Sequence, residues 1–484
     1  MKPRLSPGRS GGVASIRRVA RPFAFLLLLI SVVAWSELSA ALATEFHSAQ
    51  EAEFGRRLNA ERSVRGLPSL SHSDALRTVA RRHSQRMMAE GRIFHNQRLQ
   101  QDVEAVFPNW AEIGENVGVG PTVPAVHLAL MESPTHRANI LSTNYAHIGV
   151  GVVTGADRLF ATQNFLRLEP GGARPQAAQF RLAGRDRVAT ARAIADFGVT
   201  PGTARGAVVA PSGDFRGALA GAALAGALGG PTVLSSSDAL DGDARGALER
   251  ALGPARSGKT VYLVGAFAPA VRDAVASLGV QAVVLGGGDH VASAAAVARA
   301  LPSRPSTALV TTVTDYPDAL AVSAVSAVTG WPVLYTDPAQ LSQGTAAVLQ
   351  ELGIRRTLVI GGPRAVSDAV ASQLANVGAP PAGRLAGASR LETAVAVADF
   401  ALSNGLTPGH VQLATAYNYP DALAGGALAG VLRSPVVLTT SDRLHPTPAA
   451  WLRTHRSRVE AVYVLGGAAA VSTAVETGLA DVLR

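Results

Sequence analysis

Cysteine is absent from all 484 residues. That excludes a disulfide framework, a thiolate metal site and a cysteine nucleophile, and leaves the compartment open. Lysine is nearly absent too: beyond Lys2 only Lys259 occurs, so arginine carries the positive charge. Charged residues are 16% and aromatics 5%, against 48% apolar residues, a balance that makes packed cores rather than disordered chain. A nucleic-acid binder would need a concentrated basic stripe with interleaved aromatics, and neither occurs. There is one long apolar run, "FAFLLLLISVVA" at 23–34. As a helix it would span about 18 Å, short of a roughly 30 Å hydrocarbon core. Lys2, Arg4, Arg9, Arg17, Arg18 and Arg21 precede it and a small-residue site follows. Residues 1–43 therefore read as a secretory signal cleaved after Ala43, with an uncleaved anchor as the alternative. No membrane span is expected in the mature protein. Removing the segment leaves 38 basic and 34 acidic residues, so most of the overall charge of +9 belongs to the leader.

What is present is repetition. "DYPDALAVSA" at 315–324 returns as "NYPDALAGGA" at 418–427, and a divergent copy, "DFRGALAGAA", stands at 214–223. "RLAGRDRVATARAIADF" at 181–197 matches "RLAGASRLETAVAVADF" at 384–400, with "VLGGGDHVASAAAVARA" at 284–300 between them. Pro231, Pro332 and Pro435 open three further matching runs, and "VGAF", "IGGP" and "LGGA" close three more. The chain is a tandem triplication over 181–282, 283–383 and 384–484. Within each unit, short apolar runs alternate with alanine-rich segments of helical length, the pattern of a parallel sheet covered on both faces. Each unit is thus expected to be a Rossmann-like α/β domain, its Gly/Ala-rich helices packed closely on the sheet.

The repeated phrase follows a strand and opens a helix, at the carboxyl end of the sheet where such folds bind ligands. Pro317 and Pro420 suit a first helical turn, and Asp318 and Asp421 suit its positive end. The same aspartates could instead contact a ligand. In the first copy Gly217 replaces the aspartate and Arg216 the proline, so that site differs or is lost. The Gly-Gly turns lack the dinucleotide fingerprint, which argues against nucleotide binding.

Residues 44–168 carry none of this phrasing. They predict a helix stopped by Gly66 and Pro68, a second capped by Ser73 and ended by Gly91, a third over "AVHLALMES", and a strand pair across a Gly-Ala-Asp turn. Residues 169–180, rich in Gly, Pro and Ala, read as a linker.

The segments "LNAERSVRGLPSL", "ARRHSQRMMAEG", "FHN" at 94–96, "IGENVGVG" at 113–120, "SPTHRANIL" at 133–141, "HIGVGVV" and "ATQNF" occur in the order and spacing of one family. The front domain resembles the cysteine-free bacterial branch of the CAP/SCP superfamily, which implies an α-β-α sandwich with an open cleft. The resemblance implies cleft roles for His95, Glu115, Asn116 and His136. Two imidazoles and a carboxylate could hold Zn²⁺ with an open coordination position, or could brace the loops by hydrogen bonds. His83 reads as a packed helix residue, and His72 and His127 carry no signal. Phe160 stands where animal and plant members place a second cleft histidine, and Leu130 where tryptophan is usual, which weakens transfer of their activities.

The triplicated region, on "RLAG…R…TA", "YPDALA" and the Gly-Gly strand ends, resembles the type 2 cell wall-binding repeat of Gram-positive surface proteins. That resemblance implies non-covalent anchoring on an anionic secondary wall polymer. Arg185, Arg187, Arg384 and Arg390 are its candidate contacts, since a planar guanidinium pairs an anionic group bidentately; interdomain salt bridges are the other use for each. The expectation is a secreted, wall-anchored protein displaying a CAP domain that binds a ligand or partner. A metal-dependent hydrolase of the envelope with Glu115 as base, or a surface-layer component, are the alternatives.

Overall fold

The structure is a computed structural model and describes residues 50–155, 157–169, 177–314, 317–418 and 420–483. The signal segment with its cleavage site, the centre of the linker, and Asp315, Tyr316 and Tyr419 of the repeated phrase lie outside the described residues.

The front domain begins with a helix over 50–63 and strand β1 (Ser71–His72), then a helix over Asp74–Glu90. Ser73 Oγ accepts from Leu76 N–H at its start, and Gly91 at φ +67° ends it, as the cap residues predict. A short helix (Leu99–Glu104), strand β2 (Trp110–Gly120), helices Val123–Glu132 and Pro134–Leu141, and strands β3 (His147–Thr154) and β4 (Leu159–Leu168) complete the domain. The sheet order is β1-β3-β4-β2, with β3 and β4 paired antiparallel from His147↔Leu166 to Thr154↔Leu159. Gly149 and Gly151 face the Asp74–Glu90 helix so closely that a Cβ on either would collide with its backbone at Leu76 and Arg81. The alternating glycines of "HIGVGVV" therefore set the helix-to-sheet spacing.

The triplicated region forms three parallel sheets. Strand β5 (Ala178–Leu182) precedes the first unit's own strands β6 (Gly206–Pro211), β7 (Thr232–Ser235) and β8 (Thr260–Val264). Next come β9 (Gln281–Leu285), β10 (Thr307–Thr312), β11 (Val333–Thr336) and β12 (Arg356–Ile360). Finally β13 (Pro381–Leu385) precedes β14 (His410–Thr415), β15 (Val436–Thr439) and β16 (Ala461–Leu465). The sheet orders are β7-β6-β8-β9, β11-β10-β12-β13 and β15-β14-β16-β5.

No sequence unit completes its own sheet. Each takes its fourth strand from the opening phrase of the next unit, and the third sheet takes β5 from the front of the first. The three therefore close into a ring. Residues 178–180, which composition places in the linker, belong to that closing strand, a correction that needs a partner nearly three hundred residues away: Phe180 pairs with Tyr463.

The Gly/Ala-rich helices pack closely on the sheets as expected, a Cβ on Gly221 meeting Val208 and one on Gly425 meeting Leu465, and they pack on one another as well. The repeated phrase makes a short helical turn (Phe215–Ala220, Pro317–Leu320, Pro420–Leu423) followed by a second helix (Ala222–Leu228, Val322–Thr329, Gly425–Leu432). These second helices meet one another across the ring. A Cβ on Gly226 would strike the Ala327 carbonyl, and an ideal Cβ on Gly430 would lie 3.6 Å from Ala327 Cβ and 3.7 Å from Gly226 Cα. Small residues let three helix backbones converge, and one hydrophobic cluster runs through all three units.

The front domain is docked onto β5. Asp74 Oδ2 accepts from Gln179 N–H (3.0 Å), Arg77 Nη1 donates to Gln179 O (2.7 Å), and the Arg77 guanidinium lies 4.9 Å over the Phe180 ring. His72 meets the same ring edge-on. A second bridge joins Arg250 to Glu53 at 3.1 Å. Among the described residues, no helix is long and apolar enough to cross a membrane.

Candidate functional site

Two regions gather the residues singled out in the sequence. In the front domain, Glu115 on β2 has a side chain only 4% exposed. Its Oε1 accepts from Asn96 N–H (2.8 Å) and lies 2.9 Å from His95 Nδ1. The carboxylate thus favours the tautomer with hydrogen on Nδ1, which turns the Nε2 lone pair outward on a ring whose side chain is 63% exposed. Glu115 Oε2 is buried and has no hydrogen-bond partner among the described residues. The His136 ring centroid is 6.4 Å from that of His95. Burial, and then the neighbouring His95, hold the His136 imidazole below its ordinary pKa and so favour its neutral form.

Asn116 is fully buried and has a different use from the ligand contact expected of it. Its Nδ2 donates to His136 O (3.0 Å) and Gln163 Oε1 (3.2 Å), and its Oδ1 accepts from Asn139 Nδ2 (2.9 Å). It fastens the Pro134–Leu141 helix, and with it His136, to β2. Sequence reasoning missed Asn139 and Gln163, whose only signal is their place in "SPTHRANIL" and "ATQNF". His83 is buried, with Nε2 at 2.6 Å from Phe94 O, and braces the residue before His95. Phe160 packs with Met87 and Val117, so apolar contacts occupy the position of the second cleft histidine.

The Zn²⁺ reading does not fit this arrangement. Among the described residues no three His, Asp or Glu side chains converge to hold one ion. Glu115 Oε1 and His95 Nδ1 are turned to each other, leaving a hydrogen-bonded dyad beside a second imidazole.

In the ring, the repeated phrases converge where one sheet's carboxyl end meets the opening of the next unit. Between the second and third units they line a cleft of about 510 Å³ that includes Asp318, Arg364, Ser389, Arg390 and Thr393. Asp318 sits against Gly361, where an ideal Cβ would be 2.6 Å from Oδ2, and Asp421 is seated against Gly466 in the same way. Both glycines have positive φ, +98° and +103°, so the Gly-Gly turns make room for the two acids. Burial raises the Asp421 carboxyl above the usual range, opposed by a hydrogen bond with Thr190 and by the Arg187 charge. Asp421 and Thr190 belong to the third and first units, so this is the corresponding cleft at the ring closure.

Of the four arginine candidates, Arg390 lines the cleft between the second and third units and Arg187 faces Asp421. Each also donates to a carbonyl just past a strand end: Arg390 Nη1 to Ala416 O (3.0 Å) and Arg187 Nη1 to Ser212 O (2.8 Å). Arg185 is exposed and paired with Asp243 at 2.6 Å. Arg384 is a brace: Nη1 donates to Gly361 O and Val366 O, each 2.8 Å, and Nη2 reaches Asp368 at 3.0 Å. Arg181 occupies the matching place at the ring closure, donating to Gly466 O and pairing with Glu476; the repeat alignment alone would have found it.

Comparison with known proteins agrees with this division. Residues 56–165 match the Cysteine-rich secretory protein family, CAP, and residues 181–274, 284–371 and 384–476 match Cell wall binding domain 2 (CWB2). The N-acetylmuramoyl-L-alanine amidase LytC of Bacillus subtilis is 28% identical over 303 residues, 62% of this chain and 57% of that protein. The uncharacterized protein YkwD of the same organism is 33% identical over 124 residues, 25% of this chain and 48% of that protein. The chain thus spans about half the length of these curated relatives. Cwp8 from Clostridium difficile shares the fold, with a TM-score of 0.57 and 22% identity over 64% of this chain and 52% of that one. With three matching repeats over more than half its length, behind a CAP domain, the chain belongs to the Cell wall binding domain 2 family.

Proposed function

We propose that this is an exported surface protein held non-covalently on the cell wall by its three-repeat ring, which carries the CAP domain outward. The ligand of the ring is an anionic secondary wall polymer. The observation that carries this reading is the meeting of a carboxylate, two guanidinium groups and several hydroxyls in one cleft built from the repeated phrases. Guanidinium forks take up the anionic group, and Asp318 accepts from sugar hydroxyls. Linked weak sites raise one another's effective concentration, so avidity can exceed single-site affinity by about 10²–10⁴. The test uses the full chain and purified sacculi of the organism that makes it. Retention that is lost in high salt, or after the anionic polymer is stripped, supports anchoring; indifference to sacculi rules it out.

For the CAP domain we propose binding of a small polar ligand or a partner's side chain by His95 Nε2 and His136, with Glu115 holding the His95 ring from below. The exposed His95 ring, fixed by Glu115 and 6.4 Å from the His136 ring, supports this. His95→Ala should abolish capture of wall-fragment ligands in a binding screen while leaving wall retention intact.

A further inference from the structure

The three junctions of the ring are related by sequence, yet three independent features separate one from the other two. The first is the acid. Asp318 and Asp421 have Gly217 as their counterpart, and a Cβ there would collide with Val264 O. The place taken by a carboxylate in the other clefts is closed by backbone.

The second is the inner guanidinium. Arg187 and Arg390 reach the carbonyls of Ser212 and Ala416. The corresponding carbonyl in the second unit is Val313 O, and the aligned residue is His290. Arg216 fills the slot instead: Nε donates to Val313 O (2.9 Å), and Nη1 lies 2.7 Å from His290 Nε2 and 3.1 Å from Asp214 Oδ2. The arginine that interrupts the repeated phrase is a strut between the first two units, compensating for the histidine.

The third is the rim. In the cleft between the second and third units Arg364 stands on one wall with Ala388 opposite. At the ring closure the arrangement is reversed, with Ala469 at the place of Arg364 and Arg185 at the place of Ala388. At the first junction the loop after Val264 is three residues shorter, because Ala268 N–H donates to Ser237 O as Ser367 N–H does to Pro338 O; Arg364 has no counterpart there, Gly288 stands at the place of Ala388, and neither wall supplies a cation.

We infer that the ring grips its polymer at two junctions, not three, and that the first junction is a structural lock. This rests on the anchoring reading above. Each working cleft offers a carboxylate and an inner guanidinium beside a rim arginine, Arg364 in one and, shared with Asp243, Arg185 in the other, a set for a hydroxylated sugar bearing a negative charge. The first junction has lost the acid and the rim cation and has its remaining guanidinium engaged with Val313, Asp214 and His290.

A matched pair of substitutions in the full chain tests this. Gly288 and Ala388 are equivalent and exposed, and an ideal Cβ on Gly288 meets nothing within 4 Å. An aspartate at either place repels a polyanion lying in that cleft without disturbing packing. On sacculi retaining their anionic polymer, Ala388→Asp should weaken retention about 10²-fold, the lower range of what a second linked site contributes. Gly288→Asp should leave retention within about twofold of the wild type. Equal losses from the two variants, or no loss from Ala388→Asp, would overturn the two-site arrangement while leaving anchoring in place. A wild-type chain that sacculi do not retain would instead remove the anchoring reading, and this inference with it.

Discussion

Arg181 and Gly466 stand 285 positions apart in the chain and are joined by a 2.7 Å hydrogen bond from the guanidinium Nη1 to the glycine carbonyl. Arg181 also pairs with Glu476 at 2.9 Å, and its side chain is 7% exposed. This contact closes the ring, and Arg384 makes the matching contact with Gly361 between the second and third units.

Breaking that closure should be costly. Arg181→Ala leaves a buried carbonyl and a half-buried carboxylate without their cation, and removal of one partner from a buried pair costs about 3–5 kcal/mol. Chemical unfolding should show a loss of at least about 2 kcal/mol after relaxation, with the third sheet opening first in hydrogen exchange. Chains that begin at residue 181 cut β5 in two and should behave in the same way.

The convergence of the three helices makes a second prediction. Gly226→Leu places a branched side chain against the Ala327 carbonyl, and overpacking of a filled core costs about 1–3 kcal/mol or more. The midpoint of urea unfolding should fall by the corresponding amount. Gly229→Ala, outside the contact but at φ +58°, should cost less, by backbone strain alone.

Acid should loosen the docked assembly. Burial holds His72 near pKa 3 and His127 and His410 near 4, each below the ordinary 6.5. Between about pH 6.5 and 4 the unfolded chain binds protons that the folded chain does not, so stability falls as pH falls through that window. Each such histidine contributes a slope of about 1.4 kcal/mol per pH unit. Raised carboxylates such as Asp74 act in the opposite sense, so the useful measurement is a difference. His410→Phe should flatten the stability-versus-pH curve by about one histidine's slope; an unchanged curve would show that folding leaves the His410 pKa where it is in the unfolded chain.

In the CAP cleft, Glu115→Gln removes the carboxylate that favours hydrogen on His95 Nδ1. Nitrogen-15 chemical shifts of the imidazole should move from one dominant tautomer toward a mixture. Asn116→Ala should leave that tautomer in place but release the Pro134–Leu141 helix, broadening the His136 resonances.

Much of this fold was legible because its signals are local. Ser73 and Gly91 delimit a helix through caps that involve neighbours a few positions away, and "HIGVGVV" alternates because two of its residues lie under that helix. The triplication was legible because copies can be aligned. The Arg384 role was not: an arginine bracing two carbonyls and one on a cleft wall occupy the same phrase, and only geometry separates them. Asn116 likewise sits in a cleft motif but faces inward, toward Asn139 and Gln163.

By itself, the sequence determined the number of units, their parallel α/β character and the family that the front domain resembles. The first two depend on repetition and hydrophobic period, whose signals span a few residues; the resemblance depends on short motifs kept in one order and spacing. The tertiary structure alone decided that β5 completes the third sheet, that the glycine-rich helices meet at the ring's centre, and that Arg216 fills the place His290 cannot reach. Such pairings join residues tens to hundreds of positions apart, and their partners are selected by closure of the whole ring.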